Sequence, residues 1–213
     1  MVKAVREVTG FPIEYYAVTA FDGIVKMVDD LKGVDVKVPY RMDDRYSGAR
    51  FEPGWHHMDG RQVLAFARAR HGVPGGDFGR SENHGRVIIH ALSKLRAETK
   101  NVDGIKKWLK ILYKRAKLNM SMTDAIELGV LARQIIPKDL TNVVAQGTPR
   151  SIGGESVVVL NESAYELFKD VGADAQADGN RKRGTPKDPP PGTTPTPKPA
   201  KTPSPTPVVD LPL

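Results

Sequence analysis

The sequence predicts an α/β domain built in layers, followed by a proline-rich tail. Residues 15–19 are rich in aromatic and β-branched side chains, which favour a strand, and residues 21–31 carry apolar side chains at helical spacing. Residues 34–38 alternate valine with charged residues, which predicts a second strand. A strand, a helix and a strand in succession indicate an α/β layered domain. The tail is marked by proline, since 11 of the 17 prolines lie at or beyond Pro186.

Further helical patterns flank this unit. Three valines spaced three apart precede Gly10, so a short N-terminal helix should end there. Residues 40–59 show little periodicity and are predicted to form a long surface loop. Residues 60–67 and 87–95 have helical patterns, and the glycine-rich residues 71–79 should form the loop between these two helices.

The following part of the domain is also predicted to be mainly helical. An apolar stripe over residues 105–116 indicates a helix with a basic far side, which suits either a solvated face or a membrane surface. Ser121 and Asp124 frame the start of the next helix. Short strands are predicted at residues 143–145 and 157–160, before a closing helix at residues 164–168.

The domain boundary is placed where the apolar pattern stops. Residues 1–172 are interpreted as the domain, and residues 173–213 as a disordered Pro/Thr/Lys-rich tail. Such a segment buries too little apolar surface to offset the entropy of the chain.

Charge and composition narrow the kinds of partner and compartment. The formal charge of +7 favours anionic partners such as phosphates, nucleic acids or anionic headgroups. The chain has no cysteine, so disulfides are excluded and either redox compartment is compatible. No apolar run approaches the roughly 20 residues that cross a bilayer, and the first residues do not resemble a signal peptide. As given, the chain is expected to stay in the cytoplasm.

Residues 68–84 contain the strongest candidate site. Arg68 and Arg70 lie two apart, so they point the same way if the segment is extended. The glycine-rich loop then leads to a helix predicted to start near Asp77 or Ser81, and helix N-termini attract anions. Arginine offers paired donors that match phosphate oxygens. This combination predicts a phosphate or pyrophosphate cradle.

The roles of the neighbouring side chains stay open at this point. Asp77 is suited to hold an arginine, ligate a divalent cation, act as a base or only cap the helix. Arg80 and His84 lie four apart and share a helix face, so His84 is suited to contact the same anion or to shuttle a proton.

The same region resembles a known family. Residues 54–70 read Gly-Trp-His-His-Met-Asp-Gly-Arg-Gln-Val-Leu-Ala-Phe-Ala-Arg-Ala-Arg, and residues 76–80 read Gly-Asp-Phe-Gly-Arg. Both are similar to the conserved segments of the LytR-CpsA-Psr (LCP) family. Gly33 and the valines after it resemble that family's "GGVxV" strand, and the resemblance covers about residues 1–171.

The resemblance implies both a fold and an activity. The fold is an α-β-α sandwich with a mixed central sheet flanked by helices. The activity is transfer of a phosphate-linked glycopolymer from a polyprenyl-pyrophosphate carrier to peptidoglycan, usually with Mg²⁺. This takes place on the extracytoplasmic face of the membrane, so a membrane surface is a further expected partner and nucleic acid is not.

The resemblance also assigns residues. Arg68 and Arg70 fall on the paired pyrophosphate-binding arginines, and Asp77 and Arg80 on the conserved acid and arginine of the catalytic centre. Arg80 and His84 join the predicted pyrophosphate site, although His84 stands where the family has glutamine. Both side chains are able to donate a hydrogen bond.

The start of the chain departs from the family pattern. Nothing in residues 1–15 resembles the family's anchor, its early arginines or its metal-binding carboxylates. The domain is therefore predicted to be incomplete at its N-terminus and its activity impaired, with Asp43 or Asp44 beside Asp77 as the remaining candidates for metal ligands. Two alternatives stay open: a basic nucleic-acid-binding regulator, and a catalytically inactive module that binds pyrophosphate lipids.

Overall fold

The computed structural model describes residues 1–175 and 177. Its helices are α1 (Val2–Thr9), α2 (Phe21–Asp30), α3 (Gly60–Arg68), α4 (Asp77–Glu98), α5 (Val102–Arg115), α6 (Met122–Gln134) and α7 (Glu162–Asp174). Its strands are β1 (Ala17–Val18), β2 (Val34–Val38), β3 (Met42–Asp44), β4 (Ala49–Phe51), β5 (Gly54–Met58), β6 (Lys117–Leu118), β7 (Gly147–Ile152) and β8 (Glu155–Leu160). The α/β class is therefore confirmed. The predicted tail lies outside the described residues, apart from its first few.

The N-terminal elements follow the sequence pattern closely. Helix α1 ends at Gly10, which takes a left-handed conformation with φ of 73°. After α2, the chain turns through Lys32 and Gly33, both at positive φ, and enters β2. The side chains of β2 alternate between buried and exposed, as the valine spacing predicts.

The prediction of a long surface loop at residues 40–59 is wrong, because this segment forms β3, β4 and β5. Strands β3 and β4 form a hairpin in which Met42 pairs with Phe51 and Asp44 with Ala49. All four of these residues are buried. Each strand is only three residues long, so its alternation of buried and exposed residues is too short to recognise in the sequence. Packing on the core stabilises both strands.

The C-terminal elements show one confirmed signal and one wrong prediction. Ser121 and Asp124 form a reciprocal capping box at the start of α6. The strand predicted at residues 143–145 is displaced, because β7 begins at Gly147 and pairs with β8 in an antiparallel hairpin. The two glycines at positions 153 and 154, both at positive φ, form the turn that fixes this register.

Strand pairing in the described residues is antiparallel throughout. The pairs are β1 with β6, β2 with β5, β3 with β4, and β7 with β8. The mixed central sheet implied by the family resemblance is thus represented here by separate two-stranded sheets. The buried side chains of β2, β3, β4 and β5 pack against α3 around Phe66, which is fully buried.

Helices α2, α3 and α4 connect the core to the candidate site. Asp59 and Gln62 form a capping box at the start of α3, and the Gly60 amide also donates to the Asp29 carboxylate at 2.8 Å. A Cβ on Gly60 would lie 2.1 Å from the Val25 carbonyl oxygen, so glycine lets α3 approach α2 closely. Among the helices that the structure describes, none has the length and apolarity to cross a bilayer.

Candidate functional site

The end of helix α3 separates the two arginines of the predicted cradle, Arg68 and Arg70. Arg68 is the last residue of α3, and Ala69 then turns the chain into an extended conformation. The Arg68 guanidinium lies over the Phe21 ring, 4.9 Å from its centroid. The contacts of Arg70 are with different residues, so the structure does not join the two arginines through a shared partner.

Asp77 is the residue on which the cluster converges. Its Oδ1 lies 3.1 Å from Nε of Arg70 and 3.1 Å from Nη2 of Arg80. Two guanidinium groups therefore share one carboxylate oxygen, which leaves a net charge of +1. The side chains of Arg70 and Arg80 are 53% and 42% exposed, so guanidinium surface of both faces solvent. We call Arg70, Asp77 and Arg80 the arginine cluster.

The glycine-rich loop places this cluster at the start of a helix. Gly75 and Gly76 both have positive φ, and Gly76 is the N-cap of α4 without a side-chain cap. Gly79 allows the loop to cross close to the helix, because a Cβ there would lie 2.1 Å from the Pro74 carbonyl oxygen. Asp77 is the first residue of α4, after the N-cap, and its side chain forms ion pairs with arginines. Its role is therefore not that of a helix cap.

His84 lies on α4 one turn after Arg80 and is exposed. Among the described residues it makes no recorded hydrogen bond or ion pair, and the structure does not bring it into the arginine cluster. Its predicted role in anion binding stays a prediction.

Asp44 is the positioning residue that the sequence did not single out for this role. Its Oδ2 accepts hydrogen bonds from the backbone N–H groups of Arg70 at 2.8 Å and His71 at 3.0 Å. Its Oδ1 accepts from Tyr46 at 2.9 Å and from Ser47 at 3.4 Å. Asp44 thus ties the β3–β4 turn to the segment after α3. The available signal was the acid placed just before a Ser-Gly turn.

The pKa of Asp44 reflects this arrangement. Burial alone would raise it, because desolvation disfavours the carboxylate. The four backbone donors outweigh burial and lower the pKa from 3.8 to about 2. Asp44 is therefore a buried anion satisfied by N–H groups, which fixes the backbone from which Arg70 extends.

The three carboxylates predicted as metal ligands are engaged by other groups. Both oxygens of Asp44 already accept backbone hydrogen bonds, and Asp43 is ion-paired with Arg50 at 3.5 Å. Asp77 faces two guanidinium groups. Within residues 1–175 and 177, no group of three or more potential metal-binding side chains occurs. The prediction that Asp43 or Asp44 joins Asp77 around Mg²⁺ is not supported by these contacts, and an Mg²⁺ requirement stays a prediction.

Comparison with known proteins gives a family match and curated relatives. The model of the LytR_cpsA_psr family matches residues 1–173. The polyisoprenyl-teichoic acid–peptidoglycan teichoic acid transferase TagV of Bacillus subtilis is 25% identical over 173 residues, covering 79% of this chain and 44% of that protein. The corresponding transferase TagU of Bacillus anthracis is 31% identical over 127 residues, covering 60% of this chain and 41% of that protein. The chain thus spans less than half the length of these relatives.

Solved structures show the same fold. The crystal structure of B. subtilis TagV superposes with a TM-score of 0.68 at 22% identity, covering 81% of this chain and 68% of that one. A LytR-Csp2A-Psr enzyme from Actinomyces oris gives a TM-score of 0.64 at 22% identity, covering 80% and 68%.

Proposed function

Because the chain belongs to the LytR-CpsA-Psr family, we propose that its arginine cluster binds the pyrophosphate of a polyprenyl-linked glycan. The proposed reaction is transfer of the phosphate-linked glycopolymer to peptidoglycan during cell-wall assembly. TagV of B. subtilis and TagU of B. anthracis are named as teichoic acid transferases, which supports this class of substrate and acceptor. For the same reason, the nucleic-acid-binding alternative is not favoured.

The observation that carries the proposal is the pair of guanidinium groups on one carboxylate oxygen. Arg70 approaches Asp77 through its Nε and Arg80 through Nη2, and a guanidinium group carries five N–H donors, more than one carboxylate oxygen is able to accept. Planar guanidinium groups match phosphate oxygens two at a time. The start of α4, a 22-residue helix, adds partial positive charge at the same place.

In the proposed reaction, a peptidoglycan hydroxyl attacks the phosphorus that carries the glycan. A new P–O bond forms to the acceptor, the P–O bond to the carrier breaks, the hydroxyl proton is released and polyprenyl phosphate leaves. Negative charge on the leaving phosphate increases during this step, and Arg70 and Arg80 would stabilise it. Asp77 would hold the two guanidinium groups in place, since its Oδ1 contacts both.

Arg68, His84 and a divalent cation are the other predicted parts of the pyrophosphate site. Arg68 lies at the end of α3 over Phe21, and His84 lies one turn along α4 from Arg80. We place both at the edge of the pyrophosphate site, where they would contact the carrier or the glycan. A divalent cation would add charge neutralisation, although Asp77 faces two arginines and Asp44 accepts hydrogen bonds from backbone N–H groups. We propose that the reaction takes place at the extracytoplasmic membrane surface, as the family resemblance implies.

The test is calorimetric titration with geranyl pyrophosphate, a soluble short-chain polyprenyl pyrophosphate. Arg70→Ala should weaken binding by roughly tenfold or more, because a charge-assisted hydrogen bond contributes about 1.5–3 kcal/mol. Arg133→Ala is the matched control, since Arg133 is an exposed arginine in the last turn of α6. Equal affinities for the wild type and Arg70→Ala would refute the assignment, as would equal losses in both variants.

A further inference from the structure

A cleft lies at the opposite end of α4 from the arginine cluster. It has a volume of about 440 Å³ and forms where the ends of α2 and α4 meet the start of α5. Lys32 lines it after α2, Lys100 after α4, and Lys107 from α5. Trp108, which is half-buried, forms part of the wall. The cleft therefore combines three exposed lysines with one aromatic surface.

The acidic residues of the cleft form their close ion pairs with other basic residues. Each is ion-paired with a basic residue outside the lining: Asp30 with Arg115 at 2.7 Å, Glu98 with Lys94 at 2.7 Å, and Asp103 with Lys106 at 3.8 Å. Within residues 1–175 and 177, none of the three lysines has an ion pair within 4 Å, although the charge of Lys32, together with the larger effect of Arg115, lowers the pKa of Asp30. The local balance of charge is therefore positive.

The start of α5 adds to this positive character. Asn101 caps the helix, and its side chain accepts a hydrogen bond from the Gly104 amide at 3.0 Å. Asn101 and Gly104 both line the cleft, so the positive end of a 14-residue helix lies beside the lysines. Three exposed lysines, a helix start and a concave wall together suit a phosphate group.

We propose that this lysine cleft binds the phosphate groups of a phosphodiester-linked glycan chain. The lysines would contact the phosphates, and the Trp108 ring would contact the apolar face of a sugar unit. That the ligand is a polymer rests on the proposed function, whereas anion binding by the cleft does not.

The position of the cleft favours a polymer. The arginine cluster lies at the first turn of α4 and the lysine cleft at its last, and this 22-residue helix is roughly 33 Å long. A single sugar phosphate is too short to occupy both ends of the helix. A glycopolymer held at the arginine cluster by its pyrophosphate would be long enough to reach the cleft, which would then select substrates that carry phosphates in the chain.

The concave shape and the orientation of α5 favour a chain over a lipid surface. Ile105 and Leu109, on the apolar side of α5, are buried against α6. The main apolar side of the helix is therefore covered by α6 and is not available to insert between lipids. Its outward lysines, Lys106, Lys110 and Lys114, are exposed and do not line the cleft.

Two triple variants separate the cleft from the general positive charge of the protein. One replaces Lys32, Lys100 and Lys107 with glutamine, and the matched control replaces Lys110, Lys117 and Lys138, which neither line the cleft nor contact its acidic residues, with glutamine. Both remove three positive charges, and all six side chains are exposed, so both variants should fold. Calorimetric titration with a synthetic glycerol-phosphate oligomer measures affinity, and the NMR signal of the Trp108 indole N–H reports binding at the cleft.

The cleft variant should bind the oligomer about tenfold or more weakly than the control variant, and its Trp108 signal should no longer shift. Equal losses in the two variants would overturn the proposal, as would an unchanged affinity in the cleft variant. So would tighter binding to phosphatidylglycerol vesicles than to the oligomer, lost equally in both variants. Geranyl pyrophosphate should bind all three proteins alike, so a failure at the arginine cluster would be seen separately.

Discussion

The hydrogen-bonded Asp44 carboxylate gives the sharpest test of how the candidate site is held together. Replacing it with asparagine keeps the size and removes the charge. The amide offers one oxygen where the carboxylate used two, and its NH₂ group would face backbone N–H donors. Asp44→Asn should therefore destabilise the domain and release the backbone of Arg70 and His71.

The magnitude follows from the pKa of Asp44. Its fall from 3.8 to about 2 on folding corresponds to roughly 2.5 kcal/mol, at about 1.4 kcal/mol for each unit of pKa. Because the folded pKa is the lower one, this contribution is present above about pH 4 and is lost as the pH falls through about 2. The backbone donors are the cause of this shift, so their loss is part of the same contribution, and Asp44→Asn should cost roughly 2–3 kcal/mol at pH 7.

The assay is urea unfolding of the wild type and Asp44→Asn, followed by circular dichroism between neutral pH and the acid limit of folding. The difference in unfolding free energy should be largest at neutral pH and shrink as the pH falls below about 4. Asp43→Asn is the control, because Asp43 is exposed and makes only a 3.5 Å ion pair with Arg50, a contact expected to contribute less than about 1 kcal/mol. A difference that does not change with pH, or equal effects of the two substitutions, would refute the reasoning.

Two further predictions concern the loop and the core. Gly79→Ala would place a Cβ 2.1 Å from the Pro74 carbonyl oxygen and should lower the unfolding free energy by roughly 2–3 kcal/mol, whereas Gly76→Ala, with open space around it, should cost about 1 kcal/mol. Denaturant midpoints measure both, and a larger loss for Gly76→Ala would contradict the argument. Burial raises the pKa of Tyr40 to about 12, so relative to Tyr40→Phe the wild type should lose stability as the pH rises from about 10 to 12. Parallel unfolding curves of the two proteins across that range would show that Tyr40 is not desolvated.

Several features of the molecule could be predicted from the sequence because their causes are local. The valine alternation of β2 depends only on the two-residue period of a strand. The ends of α1 and α2 follow from glycines that take positive φ, and the start of α6 from the capping box of Ser121 and Asp124. The motif of residues 54–80 identifies the family for the same reason, since the pattern is contiguous in the chain.

The tertiary structure decided the features that depend on residues distant in the chain. The short strands β3 and β4 have almost no local signal, and burial of Met42 and Phe51 against the core stabilises them. The separation of Arg68 from Arg70 depends on α3 ending between them. Asp44 acquires its role only because folding brings the N–H groups of residues 70 and 71 to its carboxylate, 26 and 27 positions along the chain.

The lysine cleft is the clearest case of this kind. Lys32, Lys100 and Lys107 are scattered over 76 positions, and in the sequence each is one basic residue among 32. Only the meeting of α2, α4 and α5 places them around one space, and only the structure shows that the acidic residues beside them are ion-paired with other basic residues. Sequence determined the arginine cluster because its residues are close in the chain, whereas the cleft exists only through packing.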